Sequence, residues 1–176
     1  MNFAQLAEER YSVRKFDKRA VEGEKLEAIL TAGRIAPTAC NNQPQRILTL
    51  DDPESMARLK TCTRYTFDAP MAFIICYDRT KSWKRSFDGD DSGVVDASIV
   101  ATHMMLQAAD LGLGTTWVGC FDPAKVIAGF GLPANIVPVA ILPLGYPAAD
   151  AKRAPGHFEK LDPAKVVFSR DFSHLK

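Results

Sequence analysis

Apolar residues fall at helical spacing in some stretches of the chain and in short unbroken runs in others. Phe3, Leu6 and Ala7 share one side of a short amphipathic helix over 3–9. Leu26, Ile29, Leu30 and Gly33 share a face of a second helix, Glu24–Ala36, which Pro37 ends because the residue before a proline avoids the helical region. A short strand, Arg46–Leu50, a short helix, Pro53–Lys60, and a buried strand, Met71–Tyr77, follow. Ser92–Leu111 is the longest predicted helix, with Ser92 as N-cap and Gly112 closing it. Its Val94, Val95, Ile99, Val100, Met104, Met105, Leu106 and Leu111 surround the axis on most sides. Such a helix is buried on most sides, either in the core or under a second subunit. Asp96, His103, Gln107 and Asp110 argue against a membrane span.

Residues 111–119 run from turn into strand. Pro123–Phe130 is a helix with Asp122 as N-cap, closed by Gly131. Ile136–Leu144 reads as a buried strand, weakened by Pro138 and Pro143, each of which removes a ladder donor. The remainder is irregular until Pro163–Phe168. This order predicts α+β or α/β, one layer of strands with helices packed on it.

At 176 residues the chain is expected to form one domain over 1–176. Its 22 basic and 21 acidic residues nearly cancel, so no large nucleic-acid or membrane surface is implied. The N-terminus MNFAQLAEER lacks the basic head and apolar run of a secretory signal, and the expected compartment is the cytoplasm. Cys40, Cys62, Cys76 and Cys120, and His103, His157 and His174, are scattered without zinc-ligand spacing, so no metal is expected. Cys76, within MAFIICY, reads as a small buried hydrophobe. The Gly112-Leu113-Gly114 pair follows a helix and lacks a third glycine, so it is not a dinucleotide fingerprint.

Candidate chemistry is concentrated in two segments. Arg10-Tyr11-Ser12-Val13-Arg14 places two guanidinium groups and a hydroxyl at alternate positions, hence on one face if extended, where they suit phosphate oxygens. The same residues also suit a solvated basic turn. Pro37-Thr38-Ala39-Cys40-Asn41-Asn42-Gln43-Pro44 is a rigid loop dense in amide donors and acceptors. It fits the edge of a heteroaromatic ring, or equally a loop that satisfies its own backbone. The polar excursion Arg79–Asp91, with Trp83 and Phe87, is either a mobile cover or a surface loop.

Four segments together resemble the nitroreductase family of FMN-dependent oxidoreductases: ERYSVRKF, APTACNNQPQ, DASIVATHMMLQAADLGLGTTWVGCFD and LPLGYPAADAKR. The resemblance implies an α+β fold with a mixed, mostly antiparallel central sheet flanked by helices. It also implies an intertwined homodimer with FMN at the interface. Arg10, Tyr11, Ser12 and Arg14 would hold the phosphate and ribityl chain; Pro37, Thr38, Asn41 and Gln43 would reach the partner's flavin. Val118 and Gly119 would line the redox-active edge, with the Gly119 N–H near the hydride-accepting nitrogen, and Arg153 or Lys160 would complete the phosphate site. Thr38, Cys40 and Gln45 depart from the family's usual residues, and where some members place Asn and Lys beside the ring this chain offers Cys62 and Tyr65, a departure from the family's usual pyrimidine-edge contacts. The implied reaction carries hydride from NAD(P)H through FMN to a small electron acceptor such as a nitroaromatic or quinone. A narrower chemistry on the same scaffold and a flavin module without turnover are the alternatives.

Overall fold

The computed structural model describes residues 2–172; His174 lies outside them. Helix α1 spans Phe3–Glu9 and is closed by a reciprocal cap: the Asn2 side chain accepts the Gln5 N–H, and the Gln5 side chain accepts the Asn2 N–H. None of its residues is fully buried: of its predicted apolar side Leu6 is half-buried, while Phe3 and Ala7 are exposed. Helix α2, Gly23–Ile35, buries Ile29, Ala32 and Gly33. At Gly33 it comes so near the next long helix that an added Cβ would lie 3.0 Å from Met104.

The sheet holds β1 (Gln45–Leu50), β2 (Met71–Asp78), β3 (Gly114–Thr115) and β4 (Ile136–Gly145) in the order β1-β2-β4-β3. Every strand pair is antiparallel, with Ile47 opposite Ile75 and Ile74 opposite Ile141. Among the described residues the parallel component is a single bridge, Ser12 to Thr115. The fold is therefore α+β.

Both prolines of β4 are accommodated. The register shifts between Ile75, opposite Ala140, and Cys76, opposite Pro138, so Val139 bulges out beside Pro138. Ile141 gives its N–H to Val118, so Pro143, two residues on, faces that same side, away from β2.

Helices cover both faces of the sheet. Phe73, Ile75, Tyr77, Leu142 and Leu144 pack with α2 and with α4, Gly93–Asp110. Ala72, Ile74, Cys76 and Ile141 pack with α3, Pro53–Cys62, and α5, Pro123–Phe130. Burial on both faces explains the unbroken apolar run of β2. Asp122 caps α5 as expected, and Gly131 ends it at φ 62°. The α4 cap differs: Ser92 makes no side-chain cap, and Asp91 accepts the Gly93 N–H at 2.8 Å instead.

Only one side of α4 is covered by this chain. Ala97, Val100, Ala101, Met104 and Ala108 are buried, whereas Val94 and Val95 are 50% and 59% exposed. The 79–91 excursion is a closed surface turn: Lys84 bridges Asp91, Arg85 pairs with Asp88 and Asp90, and Phe87 stands exposed at its tip. Residues 163–168 form no more than a single 3-10 turn, Pro163–Lys165.

Candidate functional site

Residues 10–16 lie along the outer edge of β3. Val13 gives its N–H to the Thr115 carbonyl at 2.9 Å, and Phe16 bridges Pro147. Val13 and Phe16 are buried, Arg14 and Lys15 exposed and Ser12 half-buried, so the strict alternation expected of an extended segment breaks after Arg14, where the chain turns to bring Phe16 onto Pro147.

Arg14 opens onto a cavity of about 230 Å³ that it shares with Tyr65, Phe67, Trp117, Val118 and Gly119. Val118 is fixed by two backbone hydrogen bonds with Ile141, at 2.9 and 3.0 Å. Gly119 follows it with an N–H that finds no partner among the described residues. An added Cβ there would meet only Trp117 Nε1, at 3.7 Å, so the backbone at this point is open to an approaching molecule.

Arg10 does not share that cavity. It borders two others, of about 250 and 350 Å³, both of which reach Arg153. The larger also reaches Lys160. Arg153 pairs with the Glu9 carboxylate and lies 5.5 Å from the centre of the Tyr11 ring; Lys160 donates to the His157 carbonyl. Tyr11 thus serves as a platform for Arg153. By contrast, among the described residues Arg10 and Arg14 have no carboxylate partner and the Ser12 hydroxyl makes no hydrogen bond. Arg14 makes only a 3.4 Å contact to the Ser12 carbonyl. The spare groups of this segment are therefore donors, the complement of an anionic ligand rich in acceptors.

Pro37, Thr38, Asn41 and Gln43 sit before β1, at the other edge of the sheet, and border none of these cavities. Thr38 Oγ1 accepts the Gln43 N–H at 3.1 Å and its carbonyl accepts the Asn41 N–H at 2.9 Å. Gln45 Oε1, just beyond, is buried without a partner among the described residues. Phe67, Thr116, Trp117 and Cys120 line the Arg14 cavity without having been singled out from the sequence. The aromatic and hydroxyl residues beside the Gly112–Gly114 turn were the available signal.

Burial pushes the Cys76 thiol up to about 12, which rules it out as a nucleophile. No group of three or more His, Cys, Asp or Glu side chains among the described residues is placed to hold a metal ion. No helix among them is long and apolar enough to cross a membrane.

The sequence pattern of the nitroreductase family matches residues 7–65 and 63–146. The fold is shared with a solved nitroreductase family protein from Clostridium difficile, 40% identical, at a TM-score of 0.92 over 97% of this chain and 99% of that one. An FMN-dependent nitroreductase from the same species is 28% identical, with a TM-score of 0.81 over 96% of this chain and all of its own. A Methanothermobacter thermautotrophicus protein, provisionally named an NADH dehydrogenase/NAD(P)H nitroreductase, is 29% identical over 94% of this chain and 86% of its own length. The matched pattern runs through the Arg14 segment, the Thr38 loop and the Gly119 turn alike, and the chain belongs to the nitroreductase family.

Proposed function

We propose that this protein is an FMN-dependent oxidoreductase that takes hydride from NAD(P)H and delivers it to a small electron-poor acceptor such as a nitroaromatic or a quinone. The observation that carries this reading is that Arg14, without a carboxylate partner among the described residues, and Gly119, whose N–H has no partner among them, line one cavity. FMN supplies the two-electron chemistry when bound. The donors fit it: Arg10, Ser12 and Arg14 suit the phosphate and the ribityl hydroxyls, with Arg153 or Lys160 completing the grip. The Gly119 N–H offers a hydrogen bond to the ring edge, and Val118 holds it there through Ile141. Tyr65, Phe67 and Trp117 wall the cavity with flat apolar surface, which suits planar substrates over any one shape.

The working unit in this reading is a homodimer. The exposed Val94 and Val95 of α4 invite a second copy. The amide-rich loop at Pro37, Thr38, Asn41 and Gln43, remote from its own chain's Arg14, serves the partner's site. NAD(P)H and acceptor occupy one slot in turn, which gives ping-pong kinetics. No side-chain acid or base in the cavity is required for hydride transfer itself.

The test is a visible spectrum of the purified protein, with the acid-released cofactor identified by mass, followed by anaerobic addition of NADH or NADPH. Bleaching by either, and recovery on adding menadione or nitrofurazone, is expected; Arg14→Ala loses the yellow colour on gel filtration. Protein that stays colourless with added FMN refutes the reading, and bound flavin that neither nucleotide bleaches leaves a binding module without turnover.

A further inference from the structure

The loop between α2 and β1 is held in an expensive conformation. Cys40, Asn41 and Gln43 all have positive φ, at 51°, 54° and 48°. Non-glycine residues stay in the left-handed region only where surrounding contacts over-determine them. The bonds within the loop, from Asn41 to Thr38, Asn42 to Ala39 and Gln43 to Thr38 Oγ1, tie the loop to itself and not to the protein. Its downstream end is fixed by β1, where the Pro44 carbonyl accepts the Asp78 N–H at 2.8 Å and exposed Arg46 reaches the Gln43 carbonyl at 3.3 Å.

Upstream, beyond the buried Ala36 that closes α2, the loop backbone is tied to α4 by one side chain. The Ala39 N–H donates to Asp96 Oδ1 at 2.9 Å, and the other oxygen, Oδ2, accepts the Ser92 hydroxyl at 2.9 Å. Asp96 is 2% exposed, and no Lys or Arg pairs with it among the described residues. Burying a carboxylate without a cation is costly, and here two neutral donors and the N-terminal end of α4 compensate it. An apolar residue at this position would avoid that cost but could not accept the Ala39 N–H.

We propose that Asp96 is a positioning residue that fastens the Thr38–Gln43 loop to the central helix, so that the loop meets the flavin already in its binding conformation. This rests on the reading that the loop faces the partner's FMN. A loop ordered in advance loses less entropy when the ligand arrives, and the saving appears as affinity.

The experiment compares full-length wild type, Asp96→Ala and Asp96→Asn in two measurements. Hydrogen exchange is followed residue by residue in the flavin-free protein, and FMN is titrated by quenching of its fluorescence. Circular dichroism verifies that each variant folds. Asp96→Ala should speed exchange across 39–43 by about tenfold or more while leaving β2 protected, and should raise the FMN dissociation constant by about tenfold. Asp96→Asn keeps Oδ1 as an acceptor and should bring both readings back to within about threefold of wild type. Unchanged exchange across 39–43 in Asp96→Ala overturns the proposal, as does failure of Asn to rescue. A loosened loop with unaltered FMN affinity overturns the link between the anchor and the cofactor. A wild-type protein with no affinity for FMN refutes the functional reading instead, and the exchange data then still decide whether Asp96 holds the loop.

Discussion

Gly114→Ala adds one methyl group at the point where the arginine-bearing segment is pressed against the sheet. The new Cβ would lie 2.4 Å from Val13 Cγ2 and 2.8 Å from Val13 Cβ, whereas ordinary contact runs from 3.4 to 4 Å. Val13 cannot turn aside, because it is 1% exposed and its N–H is bound to Thr115 at 2.9 Å. Either the segment lifts from β3 by about 1 Å or a well-packed side chain leaves its rotamer, and overpacking of this kind costs ~1–3 kcal/mol. At this chain length each kcal/mol lowers the melting temperature by about 2–4 °C, so a fall of about 4–8 °C is expected near the middle of that range. Thermal unfolding by circular dichroism measures it. Val13→Ala alone removes buried methyl groups and costs about 2 kcal/mol. Val13→Ala removes the Cγ2 and Cγ1 contacts at 2.4 and 3.1 Å but keeps the Cβ contact at 2.8 Å, so relief is partial and the double variant should be less destabilised than the two losses summed, with a coupling of ~0.5–3 kcal/mol. A Gly114→Ala melting temperature within about 1 °C of wild type, or strict additivity in the cycle, would refute the reasoning.

Two further outcomes follow from charge and from exposed apolar surface. Asp78 accepts from the Thr80 hydroxyl and N–H and from the Asn135 amide, with Arg46 beside it; hydrogen bonding, Thr80's first, lowers its carboxyl from 3.8 to about 2. A depressed pKa stabilises the fold above the unfolded value and is lost as pH falls through the folded one, so Asp78→Asn should cost melting temperature at pH 5–7 and progressively less from about pH 4 to pH 2. A gap between variant and wild type that does not change with pH would refute this. Val95 is 59% exposed on one subunit, so Val95→Asp should leave the secondary structure intact while halving the mass measured by light scattering; a wild-type monomer, or a dimer indifferent to the change, would refute the proposed interface.

Features governed by neighbours in sequence were legible in advance. The α5 boundaries follow from Asp122, Pro123 and Gly131, and the shared face of α2 from its periodicity, because caps and helical spacing act within one or two turns. The spacing of Arg10, Ser12 and Arg14 predicts one shared face, which the structure divides: Arg10 and Arg14 border different cavities, because the course of the segment along β3 is set by the distant Thr115 and Pro147. Sheet order was hidden because it depends on pairing between distant segments. The Asp96 anchor was hidden for the same reason, since it meets Ala39 across 57 positions. The prolines of β4 misled in a third way: a bulge at Val139 and the side that Pro143 faces are tertiary solutions to a local defect.

Strand β3 is two residues long and would end the sheet with unpaired backbone groups, were Ser12 and Val13 not lying along it. The ligand-gripping segment is thereby also the hem of the sheet. A chain trimmed past Val13 would lose more than its basic side chains: the Thr115 carbonyl would lose its donor and Gly114 the buried side chain packed on it. Its expected fate is a loosened β3 and, with it, a loosened Val118–Gly119 turn just downstream, so the two halves of the site would fail together.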